Sequence, residues 1–331
     1  MGELVPFPRD RATVLRFARE ALAARRVVEG DTEPQYSMAE ELLQSAAPPG
    51  RLYRSEGRPR GLVLWHPTSP VGVGLSLVHI DSSEGRAELY RDLLLRAEEL
   101  LGKVPFVSGP LAGLSVEGES ALMRSLGFAP FGRLEMRSPL GRLDPVPNEP
   151  RGVSVREARG SDEKELARLH AAAYGNHFDR YLFLSDLDPV RDAELYMHDI
   201  VAGSHGEFLG GASSVVEEEG SLIGACLVVR RPYGPLIVDV MVDPVRQGRG
   251  IGRQALLRTL SRLRAQGETT AVLNVTVGNT PALRLYERAG FVRTIGPSRE
   301  WFRSGLVPTG PGEGYASPTV PRTVGPGSGA E

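Results

Sequence analysis

One cysteine, Cys226, stands in 331 residues, so no internal disulfide can form. Stability must come from buried apolar area, and a reducing cytoplasm is the expected compartment. Cys226 lies in an apolar, strand-like run from Leu222 to Val229 and reads as small core filler. Lysine is almost missing: Lys103 and Lys164 are the only two among 39 basic residues, a habit of composition rather than a sign of function. No apolar run approaches the roughly 18 residues of a membrane helix. The opening Met-Gly-Glu-Leu-Val-Pro lacks the charged and apolar parts of a signal peptide. An excess of one charge is also missing. The net charge of −2 implies no broad basic face for nucleic acid. With 41% apolar and 24% charged residues the chain is ordinary globular protein, long enough for two domains.

What is present is a glycine loop between a strand and a helix. An apolar run from Leu236 to Val242 leads into Gln247-Gly248-Arg249-Gly250-Ile251-Gly252-Arg253. A helical pattern follows, with Leu256, Leu257, Leu260 and Leu263 on one side. Glycines let a backbone approach a ligand without a Cβ between them. A helix N-terminus aims free N–H groups and a positive dipole end at the same spot. Arg246, Arg249 and Arg253 add full charge. The stretch reads as a cradle for a pyrophosphate.

Two owners of a pyrophosphate compete. Gly250-x-Gly252-x-x-Ala255 fits a dinucleotide fingerprint, with Glu268 near the distance of a ribose-binding acid. That acid belongs at the far end of the second strand, and Glu268 precedes the strand, beside Gly267. Only one further strand-helix unit follows. The spacing Gln247-x-x-Gly250-x-Gly252 instead resembles the coenzyme A loop of the GCN5-related N-acetyltransferase (GNAT) superfamily. Asn279-Thr-Pro-Ala-Leu-Arg-Leu-Tyr286-Glu-Arg-Ala-Gly290-Phe291 resembles that family's second signature, in the right order, after a strand pattern at Thr270 to Val277. The resemblance covers residues 151–303.

The halves of the chain repeat. One constant shift sets Gly61-Leu-Val-Leu-Trp65 on Gly224-Ala-Cys-Leu-Val228, Glu84 to Leu89 on Gln247 to Gly252, and Ala121 to Phe128 on Arg284 to Phe291. The expected fold is therefore α/β: tandem GNAT-like domains, each a central mixed sheet flanked by helices. In this alignment the first copy has Ala87 and Leu89 for Gly250 and Gly252, Met123 for Tyr286, and Val116 for Asn279. Glu84 and Glu88 stand where phosphate would bind, the wrong sign for it. The first copy reads as structural, or as a wall of the acceptor cleft. The expected organisation is a degenerate domain over 1–138, a proline-rich connector over 139–150, a catalytic domain over 151–303 and a disordered tail over 304–331. The second copy carries a longer insert, Tyr174 to Phe208, mixing aromatics and histidines with acids. In the superfamily that region covers the acceptor; a surface helix pair with core aromatics is the alternative.

The resemblance implies an acetyl-CoA-dependent acyltransferase acting on an amine by direct transfer in a ternary complex, with no metal. It places the thioester carbonyl against backbone N–H groups near Met241 and Val242. Tyr286 matches the family's general acid, two helical turns after Asn279; ring packing is its other reading. Asn279, ahead of Thr280-Pro281, is a helix cap, and by resemblance a ligand of the donor's arm. The proton acceptor is open. Leu236 and Asn274 occupy the positions where relatives carry glutamate, and Asn274 is counted with the cofactor-binding residues. Asp239 is the remaining ionisable group of the strand, facing the acceptor or pairing with an arginine, with His177, His198 or a water chain as substitutes. Mycothiol-synthase-like tandem enzymes share the plan but carry the fourth-strand glutamate that is absent here. A non-enzymatic acyl-CoA-binding module is the alternative to an enzyme. Quaternary state reads as monomer or homodimer, with no membrane or nucleic-acid partner.

Overall fold

The structure, a computed structural model, describes residues 2–29, 49–69, 72–102, 106–108, 110–146, 148–149, 152–177, 179–180, 188–294 and 300–303. The tail over 304–331, and Phe178, Tyr181, Phe183 and Asp186 of the insert, lie outside the described residues. No helix among those described is long and apolar enough to cross a membrane.

Two mixed sheets repeat one plan. In the first, β1 (Glu3–Val5), β2 (Gly50–Ser55), β3 (Arg58–Ser69) and β4 (Gly72–Ile80) run antiparallel in order, and β5 (Phe106–Ser108) joins β4 in parallel. In the second, β8 (Val153–Glu157), β10 (Ser214–Glu218), β11 (Ser221–Arg231) and β12 (Gly234–Val242) do the same, and β13 (Thr270–Thr276) joins β12 in parallel. A short β9 (Glu207–Phe208) pairs with β11. Alternating side chains serve two faces of each sheet. In the first copy α1 (Ala12–Glu29) covers one face, and α2 (Arg86–Leu101) with α3 (Val116–Ser125) covers the other. In the second, α4 (Glu163–Tyr174) and α5 (Pro189–Val201) lie opposite α6 (Ile251–Ala265) and α7 (Thr280–Arg288). Local chemistry sets the helix starts. Asp188, Ser115 and Asn279 accept the N–H groups of Arg191, Gly118 and Ala282, and Pro189 and Pro281 open the first turns.

The copies exchange their last strands. β7 (Arg133–Pro139) leaves the first copy and sits between β13 and β14 (Val292–Arg293), paired from Thr270 with Pro139 to Thr276 with Arg133. β15 (Glu300–Phe302) returns the exchange between β5 and β6 (Ala129–Phe131). Gly132 alone separates β6 from β7, too little chain for a hairpin, so β7 cannot fold back and runs on into the other sheet. Trp301 of β15 seals the junction, its indole N–H donating to the buried Glu119 carboxyl at 2.7 Å. The expected boundary near 138 is thereby corrected: β7, placed in the first domain by sequence, is a strand of the second sheet. The connector is also more than a spacer. Asp144 and Glu149 pair with Arg253 and Arg258 of α6, and Gln254 donates to the Asn148 carbonyl.

A fragment of residues 151–303 lacks β7, leaving β13 an unpaired edge inside its own sheet. It is expected to show no cooperative thermal transition by circular dichroism. Starting the fragment at 129 returns the strand and with it a transition. A cooperative, native-like melt of 151–303 alone would show that the exchanged strand is dispensable.

Candidate active site

The site begins where two strands part. β12 and β13 pair only at Leu236 with Val272 and Ile237 with Leu273. Beyond that β12 stays with β11, across a bulge that displaces Val238, and β13 stays with β7. A bulge increases local twist and turns the strand away. Asp243 N–H donates to the Ile223 carbonyl, so alternation turns the Met241 N–H toward its partner Ala225 in β11. The Val242 N–H faces the gap, while the Val240 N–H serves the Asp239 carboxyl. Of the two donors expected at the thioester, Met241 is thus committed to the sheet and Val242 is placed at the opening.

The glycine loop follows at once. Asp243 caps the turn Pro244–Arg246 by accepting the Val245 N–H. Gly248 and Gly250 have φ of 77° and 82°, and a Cβ on either would meet nothing within 4 Å. These left-handed glycines shape an open, exposed loop. Gly250 is the N-cap of α6, whose first backbone bond is Gln254 to Gly250, so the N–H groups of Ile251, Gly252 and Arg253 point out of the helix end. Gly252 serves close packing instead, with a Cβ there 3.3 Å from Val242. The Ile251 side chain is buried against Gly224 and contributes only its backbone. The arginines differ from expectation. Arg246 and Arg249 both clamp Glu218 at 2.6 and 2.7 Å, holding that carboxyl down to about 2, and Arg253 pairs with Asp144. Arg246 and Arg249 thus tie the loop to the β10–β11 hairpin, and Arg253 ties the start of α6 to the connector.

Tyr286 stands in the gap from the α7 side, 8% exposed, its ring against Phe291. Burial raises its pKa, so the phenol stays protonated through neutral pH. Asp239 is on the opposite face and wholly enclosed. The Tyr174 hydroxyl donates to it at 2.9 Å, His170 Nε2 lies 3.4 Å away, and Tyr196 packs on His170. Burial pushes Asp239 up to about 7 and holds His170 neutral, near 3. Among the described residues no arginine pairs with Asp239. His198 is exposed beside Glu163, away from the gap. Asn274 is exposed on the sheet face opposite the Ala271, Leu273 and Val275 cluster that holds Tyr286, so the structure separates it from the donor cradle. Asn279 is occupied twice, its oxygen capping α7 and its side chain hydrogen-bonded to Asp179. Asp179, buried at the mouth of the gap, was not singled out from sequence; only its place in the acidic and aromatic insert hinted at it.

The first copy shows the same parting, since β4 and β5 pair only at Gly74 with Phe106 and Leu75 with Val107. Its helix α2 also starts after a left-handed glycine, Gly85. Gly85 thus stands where Gly250 does, two residues from the Ala87 equivalence read from sequence. A side chain fills this gap. Tyr90 is fully buried, and its hydroxyl accepts the Ile80 N–H at 3.3 Å and donates to the Ala112 carbonyl at 3.1 Å. Ile80 pairs with Gly61 as Val242 pairs with Gly224, so Tyr90 takes the N–H that faces the opening in the second copy.

A sequence profile of the Acetyltransferase (GNAT) family matches residues 167–291. The mycothiol acetyltransferase of Tsukamurella paurometabola is 30% identical over 299 residues, covering 88% of this chain and 96% of that protein. That of Geodermatophilus obscurus is 29% identical over 300 residues, covering 86% and 92%. A GCN5-related N-acetyltransferase from Sphaerobacter thermophilus aligns over 92% of this chain and 96% of its own, with TM-score 0.59 at 20% identity. A tandem GNAT protein from the clavulanic acid biosynthesis pathway aligns over 91% and 97%, with TM-score 0.53 at 17% identity. The two structures speak to fold alone, and the fold is shared over about nine-tenths of the chain. The chain belongs to the GNAT acetyltransferase family, and it moves an acetyl group from acetyl-CoA to an amine.

Proposed function

We propose that the second copy alone carries the reaction, by direct transfer within a ternary complex. The observation that carries this is the contrast between the two gaps: Tyr90 takes the Ile80 N–H in the first copy, and among the described residues no side chain takes the Val242 N–H in the second. The loop from Gln247 to Arg253 holds the pyrophosphate, and the Val242 N–H polarises the thioester carbonyl. A fixed donor of this kind is worth about 3 kcal/mol of barrier. Tyr286 protonates the departing thiolate, whose conjugate acid has a pKa of about 8.5. Asp239 is too enclosed to touch an amine, so it receives the proton through the Tyr174 hydroxyl. An acyl-enzyme is not part of this route. Cys226 is buried and burial pushes its thiol up to about 12. The relatives named mycothiol acetyltransferases make a mycothiol-type small amine the first acceptor to test. Leu236, where such enzymes carry glutamate, gives this chain a different proton acceptor. Thiol release from acetyl-CoA against an amine panel tests the reading, and release no faster than hydrolysis with every amine would end it.

Donor binding gives the first expectation. Titration calorimetry should find about one acetyl-CoA per chain. Gly250→Val forces a β-branched residue to positive φ and should abolish binding, while Ala87→Val leaves it intact. Two sites per chain would contradict the filled first gap.

Tyr286→Phe removes a hydroxyl and keeps the ring. The single-turnover rate should fall about 10²–10⁴-fold, or roughly 3–5 kcal/mol, with acetyl-CoA Kd unchanged. An unchanged rate would leave Tyr286 as packing, and a weakened Kd would make it a donor ligand.

Asp239 gives a paired expectation in pH. The groups facing it are Tyr174 and His170 of α4, Tyr196 of α5, Tyr286 of α7 and Cys226 of β11. Its protonated form cannot accept a proton, so the single-turnover rate should rise with pH through about 7. Asp239→Asn should flatten that limb. The folded pKa lies above the unfolded value of about 3.9, so the folded chain holds a proton the unfolded chain has lost, and stability falls as pH rises between the two. Asp239→Asn should therefore raise Tm at pH 8 while slowing transfer. A lower Tm with an unaltered pH limb would refute this placement of the charge.

A further inference from the structure

The glycine loop is held by the core at its two ends only. At the near end the Asp243 N–H donates to the Ile223 carbonyl. At the far end Ile251 is buried against Gly224 of β11. Between these anchors Gln247, Gly248, Arg249 and Gly250 are all exposed, and Val245 ahead of them is 74% exposed. A loop so exposed has little apolar contact to set its shape. Its two left-handed glycines give the backbone further freedom.

Glu218 supplies from outside the loop what burial does not. It ends β10 and pairs with Ser221 across a two-residue turn, Glu219 and Gly220, with φ of 52° and 78°. A hairpin turn with both φ positive matches the twist of its strands, so the carboxyl stands on a fixed base. Its Oε2 accepts Arg246 Nε at 2.6 Å, and its Oε1 accepts Arg249 Nη2 at 2.7 Å. Arg249 Nη1 reaches Oε2 at 3.3 Å, which completes a fork. The two guanidiniums, Arg249 foremost, hold the carboxyl down to about 2, so it stays ionised at neutral pH. Arg246 and Arg249 bracket Gln247 and Gly248, and one side chain thereby fixes the stretch that the core leaves loose. An isolated surface ion pair holds little; a forked pair inside a network of charges is the exception.

We propose that Glu218 is a positioning residue for the donor, holding the loop through Arg246 and Arg249 in the shape that receives the pyrophosphate. This rests on the donor placement given under the proposed function. The sign of the effect separates it from plain electrostatics. A carboxylate beside a polyanion site weakens binding by charge alone. A tether that orders the loop before the donor arrives strengthens binding, because less freedom is lost on association. Glu218 never touches the donor in this account and acts only through the loop.

Calorimetry on the full-length protein tests this with coenzyme A and 3′-dephospho-coenzyme A, which share the pyrophosphate. Glu218→Gln removes a negative charge and Arg249→Gln removes a positive one. Charge alone makes the first bind tighter and the second weaker. Positioning makes both weaker, each by about 5- to 10-fold and equally for the two ligands. The double variant should lose no more than either single one, within about twofold, because both break the same tether. Glu218→Ala lacks the carboxylate as well and gives a second reading of the sign. With the amine picked out by the thiol-release panel, the KM for acetyl-CoA should rise by the same factor while kcat at saturating donor is kept. Unchanged or tighter binding in Glu218→Gln overturns the proposal. So does a loss confined to the ligand with the 3′-phosphate, an additive loss in the double variant, or a lowered kcat at unchanged KM. If the unaltered protein binds neither ligand, the donor placement itself falls, before any variant is measured.

Discussion

The parting of β12 and β13 is the constraint on which the site depends. A continuous parallel ladder would occupy the N–H groups on that side of β12. The ladder stops after two residue pairs, and the bulge opposite Leu227 and Val228 turns β12 toward β11. The two strands diverge beyond that point. Tyr286 enters the gap from the α7 face, and Asp239 and Asp179 border it from the α4 face. The glycine loop leaves β12 at the same end, so the helix dipole of α6 points at the entrance. The glycine loop, the Val242 N–H and the two faces of the parted strands thus share one backbone event.

The first copy shows that the backbone event alone is insufficient. It keeps the two-pair ladder, the left-handed glycine and the helix start. Tyr90 then supplies from within the chain a hydrogen-bond partner for the Ile80 N–H and the Ala112 carbonyl. A buried phenol bonded at both ends is a stable filler, and Ile80 and Ala112 have no demand left for a ligand to meet. The two copies therefore differ here in one buried side chain and in acidic Glu88 at the helix start, not in the fold.

The fold class, the repeat and the glycine cradle were legible because each is local. Strand alternation, a left-handed turn and a capped helix leave periodic or spaced traces in sequence. The Asn279-Thr-Pro start was read for the same reason. The strand exchange left no such trace, because β7 and β15 look the same whichever sheet takes them; only the single residue between β6 and β7 forbids a hairpin. The ion pairs of the arginines left no trace in the sequence for a related reason. Arg246 and Arg249 beside glycines look like an anion grip until Glu218, far away in sequence, is placed between them. Asp179 required three segments to meet, the turn after α4, the end of β13 and the cap of α7, and no spacing rule joins them.

Two buried carboxyls, Asp239 and Asp179, sit in different surroundings. Asp239 lies among His170, Tyr174 and Tyr196, and its environment offers one phenolic hydrogen bond, one backbone N–H and a neutral imidazole. Burial therefore dominates, and its proton affinity moves to the pH range where an amine must be deprotonated. Asp179 has Thr276, Asn279, Arg133 and His177 around it, so polar partners and positive charge counter the effect of burial there. Arg133, carried across by the exchanged strand, links the first copy to the electrostatics around Asp179. A chain without the exchange would lose both the third strand of the β12–β13–β7 array and the positive charge that tells Asp179 apart from Asp239.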